Sequence, residues 1–238
     1  MASSTYTRSS SSPAGGNDDV VRAGFEPTVV PRQPIRLFQP RYLAIKRFVD
    51  LGLCFVTLPV SIVLFGFCAF LVWLDDPGPV LYIQPRTGKG GQRFRMFKFR
   101  TMVWHAAQLK HKYSHLNEQT GPDFKISDDP RITRVGKFLR RTSLDELPQI
   151  LNVIRGDMSL VGPRPTSFSM ESYSLWHTER LEVLPGITGL WQVLGRSDVD
   201  YDDRVRLDIE YIENQSFWLD MSIFLRTAGA VFSRHGAY

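Results

Sequence analysis

The sequence is poor in cysteine, with two among 238 residues. Cys54 and Cys68 both lie inside an apolar run, and neither a C-x-x-C pair nor a disulfide framework is present. We interpret the two thiols as small buried hydrophobic groups. The N-terminus also lacks the charged, apolar and small-residue order of a secretory signal, so we expect no export.

The excess of positive charge is small, with 29 Lys and Arg against 24 Asp and Glu and a sequence pI near 9.3. Such a balance fits anionic partners, among them phospholipids, nucleotides and nucleic acids, and it also fits an ordinary basic soluble protein. No recognised nucleic-acid-binding motif is present, and the basic residues are interleaved with an apolar run. We therefore predict no nucleic-acid partner.

Long hydrophobic runs are also scarce, and a single stretch is long enough for a membrane. Leu51 to Leu74 contains 24 residues and no charge, enough for a helix to cross the roughly 30 Å hydrocarbon layer. Pro59 lies inside it and is expected to break the helix. Both flanks are basic, which marks both as cytoplasmic. The pattern favours re-entry on one face, while a single crossing and a buried core helix remain open.

The chain divides into three predicted regions. Residues 1–40 form a Ser- and Pro-rich basic tail with little apolar surface, which predicts disorder. Residues 41–76 carry the membrane segment, and residues 77–238 have room for one domain with a core. We expect the last region to lie on the cytoplasmic face of the membrane.

Several local patterns predict elements in the last region. Residues 80–84 and 93–101 flank a glycine-rich turn and predict a β-hairpin, with a bulge or two-sided burial in the second strand. Residues 102–118 and 200–215 predict helices. His111 and His115 have a zinc-compatible spacing, but their polar context favours a solvated helix face. Residues 217–232 fit either an interfacial helix or part of the core.

The segment from Arg140 to Pro165 concentrates the charged residues of chemical interest. Apolar residues recur at three- and four-residue spacing and predict one helix face, formed by Leu144, Leu147, Ile150, Leu151 and Ile154. Asp145 and Glu146 fall in its first turn, where acids are favoured, and Ser143 with Glu146 fits a capping box. Pro148 weakens that interpretation because it would be the fifth helical residue.

A catalytic interpretation gives both carboxylates a role. An aspartate can attack phosphorus and form an acyl phosphate. The neighbouring carboxylate is a natural ligand for Mg²⁺, and arginine and lysine side chains suit phosphate oxygens. The candidate cations are Lys98, Arg100, Arg140 and Arg164. On spacing alone, the helix cap and the catalytic site both remain open.

Five blocks of sequence together resemble a known family. They are KRFVD (46–50), DDPGPVLYIQPRTGKGGQRFRMFKFRTM (75–102), DDPRITRVGKFLRRTSLDELPQILNVIRGDMSLVGPRP (128–165), PGITGLWQVLGR (185–196) and GAY (236–238). On these blocks the chain is identified as resembling the bacterial sugar transferases, the monotopic phosphoglycosyl transferases, and in particular their short exopolysaccharide-priming type. The chain departs from the family pattern in having Leu58 before Pro59 and Leu184 before the Pro-Gly-Ile-Thr-Gly block.

The resemblance implies both a fold and a reaction. The fold would be α/β and rich in helix: a re-entrant N-terminal membrane helix broken at Pro59, interfacial amphipathic helices, and a small catalytic domain containing a β-hairpin. Asp145 would attack the β-phosphate of a UDP-sugar, with galactose or glucose as the usual sugar, and UMP would be released. Polyprenyl phosphate, expected to be undecaprenyl phosphate, would then accept the phosphosugar.

The resemblance also assigns residues and surroundings. Asp145 and Glu146 would be catalytic and would hold Mg²⁺. The residues expected to bind phosphate or substrate are Lys98, Arg100, Arg140, Arg164, Gln192 and Arg196. The expected location is the cytoplasmic face of the inner membrane, and the sequence leaves a homo-oligomer open. A membrane-tethered, non-catalytic scaffold of polysaccharide assembly is the alternative.

Overall fold

The computed structural model describes residues 40–117, 126, 128–168, 175–194 and 200–233. Of residues 231–233 it describes the backbone alone. The predicted tail, Arg196 and the closing Gly-Ala-Tyr lie outside the described residues. Seven α-helices are described: α1 Pro40–Asp75, α2 Ala106–Leu109, α3 Arg134–Arg141, α4 Ile150–Arg155, α5 Leu190–Leu194, α6 Tyr201–Glu213 and α7 Phe217–Ser233. The strands are β1 Leu81–Thr87, β2 Arg93–Phe99, β3 Ser159–Val161 and β4 Gly186–Thr188.

Helix α1 is the long apolar helix that the sequence predicts. Its 36 residues correspond to about 54 Å if straight, and its length and composition would suffice to cross a membrane. The helix continues through Pro59 as one element rather than dividing there. Just before it, the Thr57 hydroxyl donates to the Leu53 carbonyl oxygen at 2.8 Å, a contact typical of slightly bent helices. The missing backbone N–H of Pro59 is therefore tolerated within one helix.

Two stretches of α1, one near its start and one near its end, pack against the rest of the protein. Asp50 and Cys54 are buried in the first stretch and Cys68 and Val72 in the second, whereas residues 55–67 include no buried side chain. Large apolar side chains cover the remaining surface and are more than half exposed, including Val56, Val60, Ile62, Val63, Phe67 and Phe70. An exposed apolar surface of this extent is typical of a site that binds a membrane or another protein. The burial of both cysteines agrees with their interpretation as small hydrophobic groups.

Polar contacts fix both ends of α1. Near its start, Arg47 donates from its two terminal nitrogens to the carbonyl oxygens of Val153 and Ile154, at 2.6 and 3.1 Å. Near its end, the Asp75 carboxylate accepts the backbone N–H of Val135 at 2.9 Å. The two ends of α1 therefore dock onto the same body of residues.

The first sheet is the predicted hairpin. Strands β1 and β2 pair antiparallel without interruption from Leu81 opposite Phe99 to Thr87 opposite Arg93. The predicted bulge is absent from this ladder, and burial on both faces explains the pattern instead. Met96 packs with Cys54, Val153 and Met158, whereas Phe99 packs in a separate cluster with Cys68 and Leu139.

The second sheet pairs β3 and β4 in parallel, with Ser159 opposite Gly186 and Val161 opposite Thr188. The backbone at Gly186 approaches the backbone at Gly162 so closely that a Cβ added to Gly186 would lie 2.1 Å from the backbone nitrogen of Gly162. Only glycine fits there, which fixes the path of the chain just before Arg164. Helices α5, α6 and α7 cover this sheet through a core of Val161, Leu190, Tyr211, Ile212 and Ile223.

The predicted helix over residues 102–118 is only partly helical. Among its described residues, 102–117, the helical parts are α2 and a short 3₁₀ helix, Ser114–Leu116. At its start, the backbone N–H of Val103 bonds to the Arg131 carbonyl oxygen at 2.9 Å instead of entering a helix. His111 and His115 are exposed. Helix α7 contributes to the core through the buried Ile223, as one of the two alternatives for residues 217–232 predicts. Trp218 is 78% exposed, and the interfacial alternative stays a prediction.

Candidate active site

Asp145 and Glu146 lie in a 3₁₀ helix, Leu144–Gln149, that runs directly into α4. The predicted single helix is therefore wrong in its first half. Ser143 has a φ of 56°, in the left-handed region, and its side chain caps nothing. Its carbonyl oxygen accepts the Glu146 N–H at 3.2 Å instead. The capping-box interpretation is wrong, because a residue in this conformation does not present its hydroxyl to the helix start.

The apolar residues that predicted a single helix face pack into two separate hydrophobic clusters. Leu144 and Leu147 pack beside Cys68 and Phe99, whereas Ile150 and Ile154 pack beside Cys54 and Met96. Leu151 is 44% exposed and joins neither cluster. The change from 3₁₀ to α geometry at Ile150 turns the second half of the segment towards a different neighbour.

Glu146 is held between two cations. Lys98 on β2 donates to Glu146 Oε1 at 2.9 Å, and Arg164 donates to the same oxygen at 2.5 Å. The side chain of Glu146 is 16% exposed, against 34% for Arg164. Burial by itself would raise the pKa of Glu146, but the charges and hydrogen bonds of Arg164 and Lys98 hold that pKa well below its usual range. Glu146 is therefore a fixed anion.

Asp145 has the opposite environment. No hydrogen-bond partner for its carboxylate is found in the part of the chain that the structure describes, although the side chain is half-buried. Burial raises the pKa of Asp145, and the nearby charge of Glu146 adds to that rise, against the opposing influence of Lys98, Arg164 and Arg140. Two adjacent carboxylates with divergent environments indicate two different chemical roles. Asp145 is the one whose oxygens are available to a reactant.

Arg140, at the end of α3, lies close enough to Asp145 for their charges to interact. Its Nε donates to the Thr101 hydroxyl at 2.9 Å, and its charge acts on Asp145. Burial lowers the pKa of Arg140 from its ordinary value, with Asp145 opposing the change. Among the described residues, no bond from its terminal nitrogens is found. The guanidinium is thus oriented by Thr101 and able to meet an anion beside Asp145.

The structure places the remaining predicted residues elsewhere. Arg100 does not join Lys98: it is 6% exposed and donates to the Asp76 carboxylate at 2.7 Å, tying β2 to the end of α1. The structure therefore brings Arg100 to Asp76 and not to the Asp145–Glu146 pair, and its role in phosphate binding stays a prediction. Gln192 lies in α5, where its Nε2 donates to the Ile187 carbonyl at 3.4 Å and its Oε1 is buried without a partner.

Sequence reasoning did not single out Arg180. Its guanidinium donates to the Arg164 carbonyl oxygen at 2.8 Å and to the Asp208 carboxylate at 2.5 Å. These contacts hold the backbone from which Arg164 reaches Glu146. No local pattern indicates them, since Asp208 lies 28 positions away in α6.

The donor set at the site is compatible with Mg²⁺. The described residues contain no group of three or more His, Cys, Asp or Glu residues that could hold a metal by themselves. Mg²⁺ is typically held by one or two carboxylates together with substrate phosphates and water. The unpartnered Asp145 carboxylate beside Glu146 meets that requirement. The metal would accordingly bind together with a phosphorylated substrate.

Comparisons with known proteins give a consistent result. The sequence profile described as bacterial sugar transferase matches residues 41–234. The galactosyl transferase CpsE of Streptococcus agalactiae serotype III is 42% identical over 215 residues, covering 90% of this chain and 48% of that protein. The undecaprenyl-phosphate galactose phosphotransferase of Salmonella typhimurium is 48% identical over 168 residues, covering 68% of this chain and 35% of that protein.

A third relative matches over most of its own length. The exopolysaccharide production protein ExoY of Rhizobium meliloti is 40% identical over 198 residues, covering 81% of this chain and 88% of that protein. The chain therefore spans less than half the length of the first two relatives and nearly all of the third. All three alignments are long enough to include most of the described structure.

Proposed function

Because the chain belongs to the bacterial sugar transferase family, we propose that it transfers a hexose 1-phosphate from a UDP-sugar to undecaprenyl phosphate. The sugar would be galactose or glucose, and the step would prime the synthesis of an exopolysaccharide or another glycan. The observation that carries the proposal is the unpartnered Asp145 carboxylate beside Glu146, which Lys98 and Arg164 hold ionised. Two relatives are named for galactose transfer and one for exopolysaccharide production.

In the first half of the reaction, a carboxylate oxygen of Asp145 attacks the β-phosphorus of the UDP-sugar. A bond forms between Asp145 and phosphorus, the bond from phosphorus to the bridging oxygen breaks, and UMP leaves with the electron pair. Arg140 and the cation pair of Lys98 and Arg164 offset the negative charge of the diphosphate as it approaches a carboxylate. The raised pKa of Asp145 fits a more basic and hence better nucleophile once it is ionised.

In the second half, an oxygen of undecaprenyl phosphate attacks the same phosphorus. The bond from phosphorus to Asp145 breaks, which regenerates the carboxylate and leaves the sugar on a diphosphate linkage to the lipid. No net proton transfer is needed in either half. Mg²⁺, held by Glu146 and Asp145 when present, would supply positive charge for the phosphate oxygens.

The acceptor is a membrane lipid, so the placement of α1 is part of the proposal. The chain would be monotopic on the cytoplasmic face of the inner membrane, with α1 entering and leaving on that face. Its two ends dock onto one body of residues, through Arg47 at the start and Asp75 near the end. A helix that carried its ends to opposite faces would separate these contacts by the membrane thickness. The exposed apolar surface of α1 then meets lipid.

The topology can be tested with single cysteines introduced at two exposed positions, Arg41→Cys and Lys89→Cys. In intact cells, a membrane-impermeant maleimide added from outside is expected to label neither position, because both would face the cytoplasm. After the membrane is opened, both should label. The native Cys54 and Cys68 are buried, so the unsubstituted chain serves as the background control. Labelling of one position from outside would establish a crossing helix instead.

The activity itself is tested by nucleotide release. Purified protein in lipid nanodiscs, given Mg²⁺ and undecaprenyl phosphate, is expected to release UMP from UDP-galactose or UDP-glucose and to form lipid-linked sugar in equal amount. Comparing several UDP-sugars identifies the donor. If none of them yields UMP, the transferase proposal fails and the non-catalytic scaffold becomes the better interpretation.

A further inference from the structure

Asn152 is a polar residue with no exposed surface at all, in the middle of the short helix α4. It lies between apolar neighbours, and the buried side chain of Val153 beside it belongs to a hydrophobic cluster. Burying an amide costs free energy unless each of its polar atoms finds a partner. The partners of Asn152 therefore indicate what it contributes.

The side-chain amide binds the backbone of β2. Asn152 Oδ1 accepts the N–H of Phe97 at 3.0 Å, and Nδ2 donates to the carbonyl oxygen of Arg95 at 2.7 Å. Residues two apart in a strand direct these groups to the same edge, where a further strand would otherwise bind. A single side chain thus replaces a neighbouring strand beside β2.

These bonds join the two segments that carry the charges of the active site. Lys98 follows Phe97 directly on β2, and Glu146 lies on the 3₁₀ helix that continues into α4. Apolar contacts between Met96 and Val153 also hold the segments together, but such contacts are non-directional and allow sliding. The two amide bonds are directional and set the position of one segment against the other.

We propose that Asn152 is a positioning residue that holds Lys98 against Glu146. Its effect on catalysis rests on the function proposed above, while its effect on the Lys98–Glu146 pair does not. Asparagine suits the task because one planar group supplies both an acceptor and a donor at the spacing of Phe97 N–H and Arg95 C=O. Its Nδ2 also donates to the Asp157 carboxylate at 3.1 Å, which ties the same group to the turn before β3.

Two variants test the pairing without reference to activity. Asn152→Asp keeps the acceptor for Phe97 but loses the donor to Arg95, whereas Asn152→Ala loses both and adds no charge. The pairing is read out with a zero-length carbodiimide, which joins a lysine amine to a carboxylate in direct contact with it. The Lys98–Glu146 cross-link, at 2.9 Å in the native protein, is quantified by peptide mass spectrometry and is expected to fall at least about fivefold in both variants, because Lys98 withdraws from Glu146. The control is Asn214→Asp, an exposed asparagine whose side chain donates to the Glu210 carbonyl and whose replacement should leave the cross-link yield unchanged.

An unchanged cross-link yield in both folded variants would overturn the inference. So would a loss confined to Asn152→Asp, since the added charge alone would explain it. If Asn152→Asp fails to fold, the cross-link yield in Asn152→Ala decides between the two results.

Turnover distinguishes this inference from the proposed function. With wild-type protein active, both Asn152 variants are expected to lose about 10- to 100-fold in kcat with KM for the UDP-sugar within about twofold, as small misplacements of charged groups do. Wild-type turnover in both variants would overturn the positioning role while the transferase function stands. Wild-type protein that releases no UMP, together with loss of the Lys98–Glu146 cross-link in both Asn152 variants, would overturn the function and leave the role of Asn152 in place.

Discussion

The Asp145→Asn variant is expected to release UMP at less than about one thousandth of the wild-type rate, because an amide cannot act as the nucleophile for phosphorus. The substitution preserves shape and removes one charge from a half-buried position. The pair of Lys98 and Arg164 with Glu146 does not involve Asp145, so the variant should fold and insert normally. The measurement is UMP release per mole of membrane-reconstituted protein, alongside trapping of labelled sugar phosphate on the protein.

A matched control separates the loss of a nucleophile from the loss of a carboxylate in general. Asp128 forms an ion pair with Lys137, but its side chain is 89% exposed, where such pairs contribute little. Asp128→Asn should retain nearly full activity. Near-normal turnover by Asp145→Asn, or covalent labelling that persists in it, would disprove the aspartate intermediate.

Removing the arginine of the Gly-Pro-Arg-Pro segment has the second-largest expected effect. Arg164→Ala should lower kcat by about 100- to 1,000-fold, the usual cost of losing a preorganised group that offsets charge in the transition state. A pH effect should accompany this loss. The charge of Arg164 is among the influences that lower the pKa of Asp145, so without it the already raised pKa of the nucleophile rises further and Asp145 ionises only at higher pH. The acid limb of the rate profile should therefore move to higher pH.

The control for this prediction is another arginine in an ion pair. Arg206 bonds to Asp203 on the surface of α6, where the two side chains are 62% and 57% exposed. Arg206→Ala is expected to leave both the rate and its pH profile unchanged. An Arg164→Ala variant with reduced rate but an unmoved acid limb would show that Asp145 does not depend on Arg164 for its ionisation.

The sequence was sufficient for elements defined by strong local patterns. Helix α1, the hairpin and α6 each follow from an apolar run, from alternating residues around glycines, or from mixed apolar and charged positions at helical spacing. The Arg140–Pro165 segment was harder because two structures share one apolar pattern. Leu147 and Ile150 are three apart, which suits a single helix, yet they pack into separate clusters. Ser143 in a left-handed conformation gives no local sign of itself, since serine rarely adopts it.

The structure brings together part of the predicted set of residues. Resemblance grouped Lys98 and Arg164 as phosphate-binding residues, and both contact Glu146. Arg100 was indistinguishable from Lys98 by charge, and only the docking of the end of α1 pairs it with Asp76 instead. Contacts across long sequence separations, such as Asn152 with β2, require the packed fold and leave no periodic trace. In the sequence, the one sign of this contact is that Asn152 is a polar residue between apolar residues of a predicted helix.

The docking of α1 bears on how a catalytic fragment of this protein should be designed. Asp50 accepts a hydrogen bond from the Ser159 hydroxyl at 2.7 Å, and Lys46 pairs with Asp220 of α7 at 2.7 Å. Deleting residues up to Asp75 to obtain a water-soluble fragment would strip these partners from β3 and α7 and uncover the apolar surfaces that Cys54 and Cys68 now seal. Solubility would be better sought by replacing the outward-facing apolar residues of α1 with polar ones, leaving Arg47, Asp50 and the inner face intact.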